Sequence, residues 1–252
     1  MLRSIIFTGC LAASILPATA QPLAQPACNG ETIGTVTAAS IADGRTFRTT
    51  DGREVRLAGI EAPGPKEALE ALIEGKAITL KKAGGGTDRY GRIVAYGYDG
   101  DASIQQQLLQ GGDAVVAAQA GAKPCTAALF AAETAARQAS LGVWADMELG
   151  PKSAANRDEI LRSKGQFALI EGRVLGVRES GGAIYLNFGR YYTRDFSAVV
   201  LKRNAGRFPF TLKDLEGRRV LVRGVVEMRR GPFIAAERLY RYGRRAPRVA
   251  AR

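Results

Sequence analysis

The segment 55–64, which reads VRLAGIEAPG, constrains the fold more than any other part of the chain. Its residues up to Ile60 alternate with the two-residue period of a β-strand. Pro63 follows and ends the strand, because proline cannot donate to a ladder of hydrogen bonds. Two turn signals, Asp43-Gly44 and Asp51-Gly52, divide the preceding residues. The sequence therefore predicts a meander of three strands, at 33–39, 46–49 and 54–60.

Hydrophobic periodicity predicts the other elements. In the first half we expect strands at 77–81 and 93–98, and helices at 66–74, 103–110 and 126–140. The second half is all-β, with strands at 167–177, 184–188, 196–201, 219–227 and 233–236 and a short helical piece at 211–215. Three strands, a short helix and two strands is the order of an OB fold. We therefore expect an α+β protein that is mainly β.

The first 20 residues have the parts of a cleavable secretory signal, namely Arg3, an apolar run at 5–16 and small residues at 18–20. The apolar run is too short to cross a bilayer. A lipoprotein signal ending at Cys10 is the alternative, but it leaves almost no apolar run before the cysteine. We therefore expect a secreted or periplasmic protein without a transmembrane segment.

Two cysteines, Cys28 and Cys125, remain after the signal is removed. An even pair of cysteines in an exported protein indicates a disulfide, because export delivers the chain to an oxidising compartment. Two buried free thiols are the alternative.

The positive charge is concentrated at the end of the chain. Residues 151–252 hold 23 Lys or Arg and 9 Asp or Glu, a net charge of +14, whereas residues 21–150 have a net charge of −3. A field of this sign attracts polyanions such as nucleic acid, anionic lipid or cell-wall polymer. Solubility alone is the alternative use of such charge. The chain has no histidine, which excludes Ser-His-Asp triads and His-ligated metal sites.

An ordered set of motifs resembles the staphylococcal nuclease (thermonuclease) family over about residues 33–146. The set comprises DGRTF at 43–47, VRLAGIEAP at 55–63, DRYGR at 88–92, QQQLL at 105–109, AETAAR at 132–137 and GVW at 142–144. The resemblance implies a five-stranded OB barrel with three helices, and calcium-dependent cleavage of DNA and RNA. We expect this domain at 28–146, a linker helix at 147–165, a basic OB-like domain at 166–240 and a disordered Arg-rich tail at 241–252.

Within this resemblance, Arg56 and Arg92 match the two arginines that contact phosphate. A phosphate attacked by water gains charge on its oxygens, and a planar guanidinium can hold such oxygens bidentately. Lys81 and Lys82 match part of the family's basic loop, and they are candidate contacts to a nucleic-acid backbone.

The metal and base positions depart from the family pattern. Arg45 stands where the family has an acidic calcium ligand, and its positive charge repels a metal. Glu61 stands at the position of a second acidic ligand and is a weak candidate to bind a metal. Ala62, at the neighbouring ligand position, offers only its carbonyl. Gly64 stands in place of the general-base glutamate, whose loss costs about 10²–10⁴ in rate.

Two hypotheses follow for the first domain. In the first, hydrolysis is weak or lost, and Arg45, Arg56 and Arg92 form an anion pocket that needs no cofactor. In the second, Glu67 or Glu61 takes over as base and Arg45 supplies the positive charge of the metal, in an active nuclease with an altered site. Ca²⁺ is the cofactor expected if the chain is an active nuclease. The sequence favours the first hypothesis.

The second domain has its own candidate contacts to nucleic acid. OB folds bind single strands by stacking bases on aromatic side chains beside a cationic groove. Residues of this kind are Tyr191, Tyr192, Arg190, Arg194, Arg229 and Arg230. We therefore expect an exported protein that binds DNA or RNA. The alternatives are an active nuclease and an envelope protein that binds anionic lipid or wall polymer.

Overall fold

The computed structural model of the chain describes residues 28, 30–117, 123–208, 210–236 and 239–241. The predicted signal peptide, with Cys10, lies outside the described residues. The predicted Arg-rich tail also lies outside them, except for the backbone of Arg241.

The first half forms a closed barrel of five strands, as the resemblance implied. Adjacent strands pair in the order β1-β2-β3-β6-β5, and β5 returns to β1. All pairs are antiparallel except β3–β6, which is parallel. This is the pairing order of an OB fold. The strands of this half are β1 (Thr32–Asp43), β2 (Thr46–Thr49), β3 (Glu54–Leu57), β4 (Ile60–Glu61), β5 (Ala77–Thr87), β6 (Ile93–Asp99), β7 (Ala102–Ser103) and β8 (Val115–Val116).

Three helices pack on this barrel. They are α1 (Glu67–Ile73), α2 (Ile104–Gly111) and α3 (Lys123–Gln138), and a 3-10 helix follows at Gly142–Trp144. The side chain of Ser103 caps α2 by accepting a hydrogen bond from the Gln106 amide, and Gly112 ends the helix in the left-handed conformation. The disulfide between Cys28 and Cys125 is present, so that prediction is confirmed.

Two predicted strands of the first half have different limits in the structure. The strand predicted at 54–60 is divided, because Gly59 has a φ of 78° and turns the chain out of β3. Its continuation, β4, pairs with β8 instead of the barrel. The strand predicted at 77–81 extends to Thr87, because Gly84–Gly86 form a bulge after which pairing with β6 resumes.

The second half forms another closed barrel. Its first strand is long and bent, so that β10 (Phe167–Arg173) pairs with β14 and β11 (Gly176–Ser180) pairs with β12. The ring continues through β13 and β15, which are parallel, and back to β14. The predicted OB-like order is therefore present. The remaining strands are β9 (Lys152–Ser153), β12 (Ala183–Asn187), β13 (Ser197–Leu201), β14 (Arg219–Met228), β15 (Pro232–Ala235) and β16 (Leu239–Arg241).

The segment between the barrels contains less helix than its sequence predicted. The linker helix predicted at 147–165 is reduced to α4 (Arg157–Arg162), which begins late because β9 pairs with β10 and Asn156 provides the cap. Ala154 and Ile160 of this segment pack into the core of the second barrel. Two 3-10 helices, Lys202–Arg207 and Leu212–Leu215, follow β13. No helix in the described part of the chain has the length and apolar character needed to span a bilayer.

The two barrels share a buried apolar cluster. Residues of the first half pack there against residues of β10 and β14 from the second. The buried members are Val115, Ala136, Val143, Trp144, Leu169 and Leu221, with Leu149 and Phe167 partly buried against them.

A buried ion pair crosses the same interface. Arg223 of β14 is 0 % exposed and Glu133 of α3 is 2 % exposed. The Arg223 guanidinium donates to both carboxylate oxygens of Glu133 at 2.8 Å and to the Val116 carbonyl at 2.7 Å. The Val116 amide in turn donates to Glu133 at 2.5 Å. The orientation of the second barrel on the first is thus fixed by directional contacts as well as by apolar packing.

Candidate functional site

The Arg45 side chain lies where β1 turns into β2, pointing at β4. It forms an ion pair with Glu61, and its Nη1 donates to the Ile60 carbonyl at 2.5 Å. The turn is tight, because a Cβ on Gly44 would lie 2.8 Å from the Cβ of Ala62. Glycine at this position therefore lets the turn approach β4 closely enough for Arg45 to reach Glu61.

Glu61 is placed by the turn at Gly59, which directs β4 away from the barrel and onto β8. Burial raises the pKa of Glu61. The charge and hydrogen bond of Arg45 lower that pKa, Asp43 raises it further, and the net direction is upward. A hard cation such as Ca²⁺ requires several oxygen ligands. Here a guanidinium already binds the Glu61 carboxylate and the neighbouring carbonyl, so the side chains present do not fit such a cation.

Arg56 stands on β3 opposite Thr46, which follows Arg45 at the start of β2. Its side chain is half-buried and lines a cleft next to Arg45 and Glu61. Within the described residues it has no hydrogen bond or ion pair to another side chain. It is therefore the arginine in this cleft with a guanidinium available to an anion.

Arg92 is held by Asp88 at the start of β6. Its Nε and Nη2 donate to Asp88 Oδ2 at 2.8 and 2.7 Å, and its guanidinium lies over the Tyr90 ring. Burial opposes the shift, but hydrogen bonds from Arg92 and from the Tyr90 amide lower the pKa of Asp88. Asp88 lines the cleft and Arg92 does not. The structure thus brings Arg45 and Arg56 to one cleft, with Arg92 behind Asp88.

Gly64 stands at the position of the family's general base, and Glu67 is a candidate to replace that base. A Cβ on Gly64 would have no contact closer than 4.0 Å, so the backbone leaves room for a side chain there. Glu67 is exposed at the start of α1 and lines neither cleft. Among the described residues, no three His, Cys, Asp or Glu side chains form a group that could hold a metal ion.

The main cleft, lined by Arg45, Arg56, Glu61 and Asp88 on one side, has a volume of about 490 Å³. Its opposite wall comes from the second barrel. The residues of that wall are Phe167, Gly224, Val225, Glu227 and Ala235. A side cleft of about 360 Å³ lies on the other side of Arg45, Glu61 and Phe167, with Asp43, Glu148 and Lys152 in its lining.

The wall formed by the second barrel was not found from the sequence. Val225 and Glu227 read only as alternate residues of a strand, and nothing in their neighbourhood indicates a site. The buried pair of Glu133 and Arg223 was also missed. The single hint was the charge of Arg223 inside an otherwise apolar strand, VLVRGVV.

The second barrel carries a separate surface of tyrosine and arginine, the Tyr–Arg surface. Tyr191 and Tyr192 are 60 % and 58 % exposed in the loop between β12 and β13. Arg194 lies over the Tyr191 ring at 4.8 Å. A Cβ on Gly231 would lie 3.1 Å from the Arg194 backbone, so the turn after β14 packs against this loop. The complete surface consists of Arg190, Tyr191, Tyr192, Arg194, Arg229 and Arg230, of which the four arginines are exposed.

Lys81 and Lys82 lie on β5, away from both clefts. The Lys81 ammonium is over the Tyr98 ring at 4.6 Å, while Lys82 is exposed. Neither lysine is thus brought to Arg56 or to the Tyr–Arg surface.

Residues 54–146 match the family model of the staphylococcal nuclease homologues. No curated protein matches the chain at a significant level. The first barrel therefore contains a staphylococcal-nuclease-like domain, as the motifs predicted. Such a domain points to a function that involves nucleic acid.

Proposed function

We propose that this chain, with a nuclease-like domain as its first half, is an exported protein that binds nucleic acid and does not hydrolyse it efficiently. The observation that carries the proposal is the position of the Arg45 guanidinium. It binds the Glu61 carboxylate, the remaining acidic candidate ligand, and the neighbouring Ile60 carbonyl. The site thereby has a fixed positive charge in place of an exchangeable cation, and Gly64 supplies no base.

Binding of a phosphodiester fits the same residues. Arg56 faces the main cleft without a partner among the described residues and can donate two parallel hydrogen bonds to phosphate oxygens. Arg45 adds positive charge behind it, although Glu61 neutralises much of that charge. In this proposal the nuclease-like site retains the phosphate-binding half of its chemistry.

The Tyr–Arg surface provides a second point of contact. Exposed tyrosines with adjacent guanidinium groups suit stacking on unpaired bases and pairing with phosphates. The disulfide and the lack of membrane-spanning helices among the described residues are compatible with an extracellular or periplasmic location. These features support an exported protein that holds a single strand at more than one place.

The test separates binding from hydrolysis. A dinucleoside monophosphate, with one phosphodiester, is titrated into the full chain by calorimetry in Ca²⁺ and in EDTA. The same conditions, with Mg²⁺ and Mn²⁺ added, are used to follow cleavage of plasmid and single-stranded DNA. We expect binding that does not depend on the metal and no efficient cleavage. Arg56→Ala should weaken the binding about 10- to 100-fold, because hydrogen bonds to a charged group are lost.

Arg48→Ala is the matched control, because Arg48 is an exposed arginine of the same barrel that pairs with Glu54 away from the clefts. Equal losses in the two variants would contradict the assigned role of Arg56. Efficient cleavage that is abolished by Arg56→Ala would establish the active nuclease instead. Stronger binding to anionic lipid vesicles than to DNA would favour the envelope function.

A further inference from the structure

The main cleft has walls of different chemistry. The wall of the first barrel carries Arg56, and the wall of the second barrel carries Phe167 and Val225. Its volume of about 490 Å³ lies within the range of small-molecule sites, which is about 300–1,000 Å³. A double helix cannot enter a space of this size, whereas one nucleotide can.

The width of the cleft is fixed by the interface between the barrels. Arg223 binds Glu133 and the Val116 carbonyl. Val116 pairs with Ile60 on β4, the strand that also carries Glu61. The wall of the second barrel is thus connected through β8 to the strand that forms the floor of the site.

The charges in the cleft are arranged to take one anionic group. Arg45 is paired with Glu61, and Asp88 is paired with Arg92, so both pairs are close to neutral. Arg56 remains on one wall and Glu227 on the other. A phosphate is attracted to Arg56, and a second phosphate on the opposite side would meet the Glu227 carboxylate. Between them, Phe167 and Val225 offer an apolar surface to a base.

We propose that the second barrel makes the main cleft a receptor for one nucleotide at the end of a single strand. The phosphate binds Arg56, and the base lies against Phe167 and Val225. This inference rests on the proposed function, in which Arg56 binds phosphate, and it adds the class of ligand and the residues that select it.

The test compares thymidine 5′-monophosphate with inorganic phosphate by calorimetry on the full chain. We expect the nucleotide to bind about tenfold or more tightly than phosphate, because base–aromatic contact contributes about 1–3 kcal/mol. Phe167→Leu keeps an apolar side chain in the interdomain cluster, and Val225→Ala changes an exposed residue. Each should weaken nucleotide binding about three- to tenfold and leave phosphate binding within about twofold of the parent value.

Leu175→Ala is the control, because Leu175 is an exposed apolar residue of the second barrel outside the cleft. It should change neither affinity. A single strand with a 5′-phosphate should displace the nucleotide. A closed duplex, joined by a loop at each end so that it has no free strand end, should not.

The failures of the two proposals are distinguishable. If Phe167→Leu and Val225→Ala bind the nucleotide as tightly as the parent chain, the wall of the second barrel has no role in binding and this inference fails. If Arg56→Ala weakens the binding of both nucleotide and phosphate in the same experiment, the proposed role of Arg56 in phosphate binding stands. Displacement by the closed duplex also overturns the selection of strand ends. If phosphate binding is absent or unaffected by Arg56→Ala, the proposed function and this inference both fail.

Discussion

Glu61 has neighbours with opposing effects on its ionisation. Burial and Asp43 raise the pKa of its carboxyl, and Arg45 lowers it, with a net upward shift. Because the pKa is raised, the proton is taken up at a higher pH than in an unfolded chain. Protonation removes the partner of Arg45 and leaves the guanidinium free to act on an anion.

The first prediction concerns this protonation. As the pH falls from about 7 to about 5, the affinity for a dinucleoside monophosphate should rise about two- to fivefold, the scale of one partly exposed ion pair. The phosphodiester keeps its charge over this range. The measurement is calorimetry at constant ionic strength.

Glu61→Gln is the control for the pH effect, since it removes the titrating group and keeps the shape of the side chain. The pH dependence should then disappear. Asp88 does not interfere, because its pKa is lowered and it titrates at a more acidic pH. An affinity that falls on acidification would show that Glu61 does not restrain Arg45.

At the residue scale, the local motifs carried most of the information. The family resemblance assigned Arg45 and Glu61 to two ligand positions of one site, and the structure places them in contact. The partner of Arg92 was not expected, although Asp88 stands four residues before it. A motif indicates which residues converge, but the choice of partner depends on rotamers that the motif does not specify.

At the scale of elements, Gly172 decides how the long first strand of the second barrel packs. A Cβ at this position would lie 2.5 Å from the Cβ of Ala154 and 2.8 Å from the Phe188 ring. Glycine therefore allows the segment before α4 and the end of β12 to cover β10 closely.

The second prediction follows from this close approach. Gly172→Ala should lower the free energy of unfolding by about 1–3 kcal/mol, the usual cost of overpacking a core. Gly182→Ala is the control, because a Cβ at Gly182 would have nothing within 4 Å. The measurement is urea denaturation followed by circular dichroism. Equal stability of the two variants would contradict the packing.

The periodicity of the sequence located the strands better than their ends. One strand was expected at 167–177, and the structure divides it after Arg173, because β10 and β11 pair with different partners. The short β4 was not separated from β3, since Gly59 fits the alternation of a strand as well as a turn. Such boundaries are set by pairing between distant segments, which local patterns do not contain.

At the scale of the whole molecule, the buried pair of Glu133 and Arg223 joins the barrels. Ionic groups removed from water are costly unless each has a partner. Here the Arg223 guanidinium donates to both carboxylate oxygens of Glu133 and to the Val116 carbonyl, so both charges have partners within the interface. The pair thus favours one relative orientation of the barrels over others.

The third prediction tests the pair. Arg223→Ala should destabilise the chain by about 3–5 kcal/mol, because it leaves the Glu133 carboxylate buried without its charged partner. Combining Arg223→Met with Glu133→Leu should restore most of this loss, since an apolar pair of similar size removes both charges. The measurement is thermal and urea unfolding. A double variant as unstable as Arg223→Ala would contradict the explanation.

The sequence predicted two barrels and did not predict their contact. Glu133 and Arg223 are separated by 90 residues, and no local pattern links them. The wall of the main cleft depends on that contact, so Phe167 and Val225 were also not expected at the site. Each barrel follows from its own periodicity, whereas the cleft follows from how the barrels dock.

The apolar cluster around Trp144 also determines where the chain can be divided. In the intact protein, Leu169 and Leu221 cover Val143 and Trp144. A fragment that ended near residue 150 would carry this apolar face into solvent, and such patches drive association between copies. The nuclease-like half is therefore a domain by topology, but it depends on its neighbour for solubility.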